Sequence, residues 1–147
     1  VHAPFAVFTQ TMANTVPLVY SGQEEPILRP IKFFDKDPMS FKKLGRADFY
    51  KTLQQLRSRN EALAADASFK KISVGDDKAL YAYTREKNGK KIFVILNLSA
   101  KEQTITVTDK NLQGNPYNVF MGNKEPLSDQ PWKIEPWGYV VYDYTIQ

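Results

Sequence analysis

The side chains best equipped for chemistry in this 147-residue sequence stand together: Gln23, Glu24 and Glu25 follow the run Val16-Pro-Leu-Val-Tyr20 and the small-residue break Ser21-Gly22. An amide and a carboxylate delivered from the end of an apolar run can bond the hydroxyls of a ligand or hold neighbouring acids. The plainer reading is a solvated surface turn. Glu24 and Glu25 are adjacent, so on extended backbone they point to opposite sides and serve one ligand only if the chain turns. Trp132 and Trp137 are the second candidates, because planar aromatics stack on sugar rings. Flanking Pro136 near a strand end, they equally suit core packing. His2 is the only histidine and has no evident partner, which excludes a histidine-based triad or a multi-histidine metal site. Cysteine is absent, so no disulfide, thiolate nucleophile or thiolate metal site exists. Asp35 and Asp37 before Pro38 read as a loop, and Asp76-Asp77 as a hairpin turn.

The elements that must position these groups change character along the chain. Phe5, Phe8 and Met12 fall at helical spacing after Pro4. Val16, Leu18, Val19 and Tyr20 then suit a strand buried on both faces, as parallel strands are. Helix, turn and strand make half of an α/β repeat, and in an α/β barrel the C-terminal strand ends face the substrate. A loop rich in Pro and Lys occupies residues 26–45. A helix is expected over Arg46–Leu63, with Phe49, Leu53, Leu56 and Leu63 on its apolar face and Arg57 and Arg59 near its C-terminal end. From Phe69 onward short strands alternate with turns. Ile72–Val74, Ala79–Glu86, Lys91–Leu98, Gln103–Thr108, Tyr117–Met121, Trp132–Glu135 and Tyr139–Tyr144 are the candidates, with Asn88-Gly89 as a strong hairpin signal. The expected fold class is mainly β: an antiparallel β-sandwich over 68–147 preceded by helix, strand and helix elements over 1–67.

Composition narrows the partners. Hydrophobic content of 42% and aromatic content of 13% are globular values. The net charge of +4 is mild, and Lys42-Lys43, Lys70-Lys71 and Lys90-Lys91 are scattered, so no cationic stripe for nucleic acid is expected. No apolar run is long enough for a membrane span, and no membrane partner is expected.

Several stretches carry a resemblance, in order. Val16-Pro-Leu-Val-Tyr-Ser-Gly-Gln-Glu resembles the last barrel strand of the α-amylase family of glycoside hydrolases, whose version reads roughly G-x-P-L-x-Y-x-G-Q-E. Pro30-Ile-Lys-Phe-Phe-Asp-Lys-Asp-Pro38 is similar to the loop that follows. Phe49-Tyr50 through Leu56-Arg57 and Ala62-Leu63 resembles the final barrel helix. Leu80-Tyr-Ala-Tyr-Thr-Arg85, Phe93-Val-Ile-Leu-Asn-Leu-Ser99 and Glu135-Pro-Trp-Gly138 are similar to strands and a turn of the family's C-terminal domain. Two departures stand out. Asn14-Thr15 occupy positions where the family often has Gly, and Met39-Ser40-Phe41 follow Pro38 where its loop often continues to an Asp-Trp pair.

The resemblance implies a C-terminal fragment: residues 1–67 as the closing part of a catalytic (β/α)₈ barrel and 68–147 as the all-β domain that packs on and stabilises it. The parent would act on α-glucosidic bonds of starch-like glucans or maltooligosaccharides by a retaining mechanism. The family's catalytic carboxylates lie after barrel strands that precede these residues, so the fragment itself is expected to be silent. Gln23 and Glu24 would then stand at the barrel mouth as substrate-binding residues, with Trp132 and Trp137 as sugar-stacking candidates. No cofactor or metal site is expected within the fragment, which has no calcium-loop motif, though calcium is compatible with the parent. The expected partners are the rest of the barrel and the glucan. The alternative is a carbohydrate-binding module with no catalytic role.

Overall fold

The structure, a computed structural model, describes residues 1–25 and 27–146. Helix α1 (His2–Thr11) and helix α2 (Ala47–Arg59) precede a 3₁₀ turn, Glu61–Leu63, and a second such turn, Lys110–Leu112, lies between strands. Eight strands follow: β1 (Ser68–Ile72), β2 (Leu80–Lys87), β3 (Lys90–Asn97), β4 (Gln103–Ile105), β5 (Tyr117–Asn118), β6 (Asn123–Lys124), β7 (Trp132–Ile134) and β8 (Tyr139–Asp143). Six of them form one sheet in the order β1-β2-β3-β8-β5-β6, and β4 and β7 form a second. Every pairing is antiparallel. The antiparallel sandwich expected from the sequence is therefore present, with one large layer and one small one.

The β2–β3 hairpin forms where Asn88-Gly89 predicts it, with both residues at positive φ (52° and 76°) and Lys87 opposite Lys90. A two-residue primed turn requires that geometry, because its twist matches that of the strands. The unbroken apolar run of β3 has an equally direct cause: both faces of the sheet are covered. Phe93 and Ile95 face the β4–β7 layer with Leu80, Ala82, Ile105 and Ile134. Ile92, Val94 and Leu96 face the helices, against Val7, Leu53, Leu56 and Leu63. Each such side chain contributes about 1.5–3 kcal/mol by leaving water, so β3 anchors both cores.

Three expectations need correction. The helix expected over Arg46–Leu63 stops at Arg59, because Asn60 leaves helical geometry (φ −118°, ψ 109°). Asn60 caps the following 3₁₀ turn instead, accepting from the Ala62 amide at 3.0 Å. Strands expected over 103–108 and 117–121 shorten as their chains turn away, while β1 begins earlier, at Ser68. Most telling is Val16–Tyr20, which has the composition of a buried strand and is not one. No described strand pairs with it, and Val16, Leu18 and Tyr20 are 90%, 73% and 64% exposed. A parallel strand is made by neighbours on both sides, and all eight described strands are occupied in the two antiparallel sheets.

Candidate functional site

The segment that carries Gln23 and Glu24 is fixed from behind by the end of α1. The last carbonyls of a helix have no partner within it, and two arginines supply donors here. Arg57 of α2 bonds the Gln10 carbonyl (3.1 Å) and the Thr15 carbonyl (2.7 Å). Arg85 of β2, 0% exposed, bonds the carbonyls of Thr11 (2.7 Å), Ala64 (2.6 Å), Ser68 (3.0 Å) and Ala67 (3.3 Å). Burial lowers the Arg85 pKa, and an arginine nevertheless stays protonated. Its charge therefore sits against carbonyl dipoles at a helix C-terminus, the favourable end for a cation. Thr11 donates to the Val7 carbonyl (2.7 Å), so the Tyr83 hydroxyl, 2.6 Å away, must be the donor to Thr11. Burial raises the Tyr83 pKa and keeps that proton in place.

Beyond this anchor the chain turns at Ser21–Glu25. Gln23 Oε1 accepts from the Tyr20 amide at 2.7 Å, so its carbonyl end closes its own turn. The Glu24 carbonyl accepts from the Arg46 amide at 2.9 Å, while its Oε2 is buried and has no hydrogen-bond partner among the described residues. Glu25 points elsewhere, as adjacency requires, and accepts from the amides of Lys43 (3.0 Å) and Leu44 (2.6 Å). Gln23 and Glu24 line two cavities that meet at Tyr50 and Leu18. One of about 190 Å³ holds Gln23, His2 and Thr9; the other, about 460 Å³, holds Glu24, Lys51 and Gln54.

Sequence reasoning left His2 without a partner, and this is corrected. Its Nε2 lies 2.6 Å from the Tyr50 hydroxyl. Burial lowers the His2 pKa, with Arg46 and the α-amino group acting in the same direction. Tyr50 is raised, chiefly by burial. The signal for this pair was faint: Tyr50 stands three residues before Leu53 on the buried side of α2. For Arg85 there was none, since a basic residue near a strand end reads as solvated.

The two tryptophans do not come together. Trp137 takes a positive φ of 58° in the turn Glu135-Pro-Trp-Gly138, and its ring lies 6.3 Å from that of Phe5 on α1. Gly138 is required there, because a Cβ would stand 2.8 Å from the Glu135 carbonyl. Trp132 sits on the other side of the sheet, packed against the core that includes Tyr142, with Val140 beside it. No group of three or more His, Asp or Glu side chains placed to hold a metal ion gathers among the described residues. No described helix is long and apolar enough to cross a membrane.

Comparison with known proteins places this fold. The family described as "Alpha-amylase SusG C-terminal domain" matches residues 80–141, the stretch from the start of β2 into β8. Over these residues the chain is similar to an α-amylase C-terminal domain. Oligo-1,6-glucosidase IMA5 of Saccharomyces cerevisiae is 26% identical over 87 residues, 59% of this chain and 14% of that protein. Among solved structures, the noncanonic maltogenic α-amylase AmyB from Thermotoga neapolitana superposes over 99% of this chain and 36% of its own, with TM-score 0.72 and 16% identity. The trehalulose synthase MutB from Pseudomonas mesoacidophila MX-45 covers 65% of this chain and 17% of its own, with TM-score 0.52 and 23% identity. These structural likenesses are likenesses of fold. The chain thus corresponds to a small share of the length of each relative, and the sandwich motifs quoted from its sequence fall within the matched residues.

Proposed function

We propose that this chain serves as the C-terminal part of a glycoside hydrolase acting on α-glucosidic bonds of starch-like glucans or maltooligosaccharides, and that it is itself non-catalytic. The observation that carries this reading is the match of residues 80–141 to an α-amylase C-terminal domain, in a stretch joined through a shared core to α1 and α2 and in a fold common to a maltogenic amylase along 99% of the chain. In this reading residues 1–67 close the catalytic barrel, residues 68–147 brace it, and the rest of the barrel is the principal partner.

Retaining hydrolysis uses two carboxyl groups about 5–5.5 Å apart across the scissile bond. The carboxylates here do not form such a pair at the mouth: Glu25 is committed to loop amides, which leaves Glu24. Glu24 Oε2 and the amide nitrogen of Gln23 are then groups for holding a substrate hydroxyl or a catalytic neighbour. The alternative, a carbohydrate-binding module without a catalytic role, is favoured by one feature, the groove beside Trp132.

The test is reducing-end release from maltoheptaose. The 147-residue chain should release none, and the longer polypeptide that supplies upstream barrel strands should release it steadily. Hydrolysis by the short chain would overturn its silence. Inactivity of the longer polypeptide on every α-glucosidic substrate would overturn the parent's assignment.

A further inference from the structure

We propose that the groove between β7 and the segment Glu125–Pro131 is a saccharide-binding site, distinct from the Gln23–Glu24 mouth, that takes a neutral sugar ring. That the sugar belongs to an α-glucan rests on the proposed function. The groove encloses about 320 Å³, at the small end of ligand pockets, and Trp132, Pro131, Val140 and Tyr142 line it with Glu125 and Gln130. Val140 and Tyr142 are alternate residues of β8 and present the same face of the sheet. The wall is therefore mainly aromatic and aliphatic, with polar groups at a few points.

Those points are specific. Glu125 Oε2 accepts from Asn118 Nδ2 (3.0 Å) and from the Tyr142 hydroxyl (3.3 Å), which holds the carboxylate in one orientation. Its Oε1 has no described protein donor. Trp132 Nε1 is buried and has no hydrogen-bond partner among the described residues. One wall thus offers a fixed acceptor, and another a donor whose bond is unmade. A sugar hydroxyl both donates and accepts, so adjacent hydroxyls on one ring match the two. Nε1 is shielded from solvent, so a hydroxyl reaches it only when the indole moves, and the missing bond is what that movement recovers.

The same chemistry disfavours other occupants. Glu125 is the one charged residue in the lining, so an anion meets repulsion without a cation. A proline-rich segment brings carbonyl acceptors but no N–H donors, which leaves Glu125 unmatched. Trp137 has no such surroundings, and its ring is engaged with Phe5. The structure therefore separates the two tryptophans that the sequence treated alike.

The experiment is calorimetric titration of the 147-residue chain with maltoheptaose, with cellohexaose and an oligoproline as comparison probes. Saturable heat with maltoheptaose is expected. Trp132→Phe keeps an aromatic ring and removes the N–H, and Glu125→Gln turns the outward acceptor into a donor. Each should weaken binding about tenfold, the worth of one well-placed hydrogen bond. Trp137→Phe should leave it unchanged, with thermal melts confirming that every variant is folded. Saturable binding of cellohexaose but not maltoheptaose would uphold the saccharide site and overturn the α-glucan choice. No heat with either sugar, binding of the oligoproline instead, or affinity indifferent to both Trp132→Phe and Glu125→Gln would overturn the site. Failure of the groove leaves the parent's hydrolytic assignment to its own assay.

Discussion

Arg85 shows how much one side chain can hold. Its guanidinium is fully buried without a carboxylate and bonds four backbone carbonyls from three parts of the chain: the end of α1, the 3₁₀ turn region and the start of β1. Removing it strands carbonyls in a dry site, at about 1–3 kcal/mol for each left unsatisfied. Arg85→Met should lower the unfolding free energy by about 3–5 kcal/mol, read from urea titration. Arg85→Lys keeps the charge but loses the planar fork, so it should recover only part of that. A loss below about 1 kcal/mol for Arg85→Met would mean that these carbonyls find other donors. Nothing in the local sequence announces this role. A strand pattern gives the face a residue occupies, whereas Arg85's partners lie 17 to 74 positions away.

At the scale of elements, the loop over 27–45 lacks regular structure and is organised by charge. Arg29 grips Asp37 with two nitrogens (2.6 and 2.5 Å), and the Lys32 amide adds a bond at 3.0 Å. Together they hold the Asp37 carboxyl at about 2, below the ordinary aspartate range. A depressed carboxyl stabilises the folded form above its unfolded pKa and loses that contribution as pH falls through the folded one. The clamp should therefore be intact above about pH 4 and open between roughly 4 and 2. Carbon-detected NMR titration of Asp37 should show the low midpoint, and Arg29→Ala should move it upward. A midpoint near that of a free aspartate in the native chain would mean that the clamp does not form in solution. The elements legible in the sequence were those whose cause is local: the Asn88-Gly89 hairpin, the apolar face of α2, and the unbroken run of β3. Those that were misread depend on distant partners. Asn60 ends α2 and donates to Asp143 (3.1 Å) and Thr145 (3.2 Å), more than eighty positions on. The strand character of Val16–Tyr20 is real in composition and unrealised in structure.

For the whole molecule, that last mismatch has a consequence in solution. Both faces of the large sheet are covered, so the C-terminal half buries its apolar residues well. The segment between α1 and α2 does not. Val16, Leu18 and Tyr20 are largely exposed, and Leu28, Phe33 and Phe34 on the neighbouring loop more so. So many large apolar side chains left in water favour association, and Leu18 also lines both cavities flanked by Gln23 and Glu24. The 147-residue chain alone should therefore self-associate as its concentration rises, with a sedimentation coefficient that grows accordingly. Leu18→Lys with Tyr20→Lys should abolish this and leave the melting temperature nearly unchanged, because neither side chain belongs to a core. Lysine substitution of the exposed pair Phe33 and Phe34 provides the contrast. If that change gives the monomer and the Leu18 and Tyr20 change does not, the sticky element is the loop rather than the unpaired segment. A chain that stays monomeric at all concentrations would show that the exposed residues find cover within the molecule in solution. Association that is absent from a longer polypeptide supplying the proposed upstream barrel strands would identify Val16–Tyr20 as the edge on which those strands assemble.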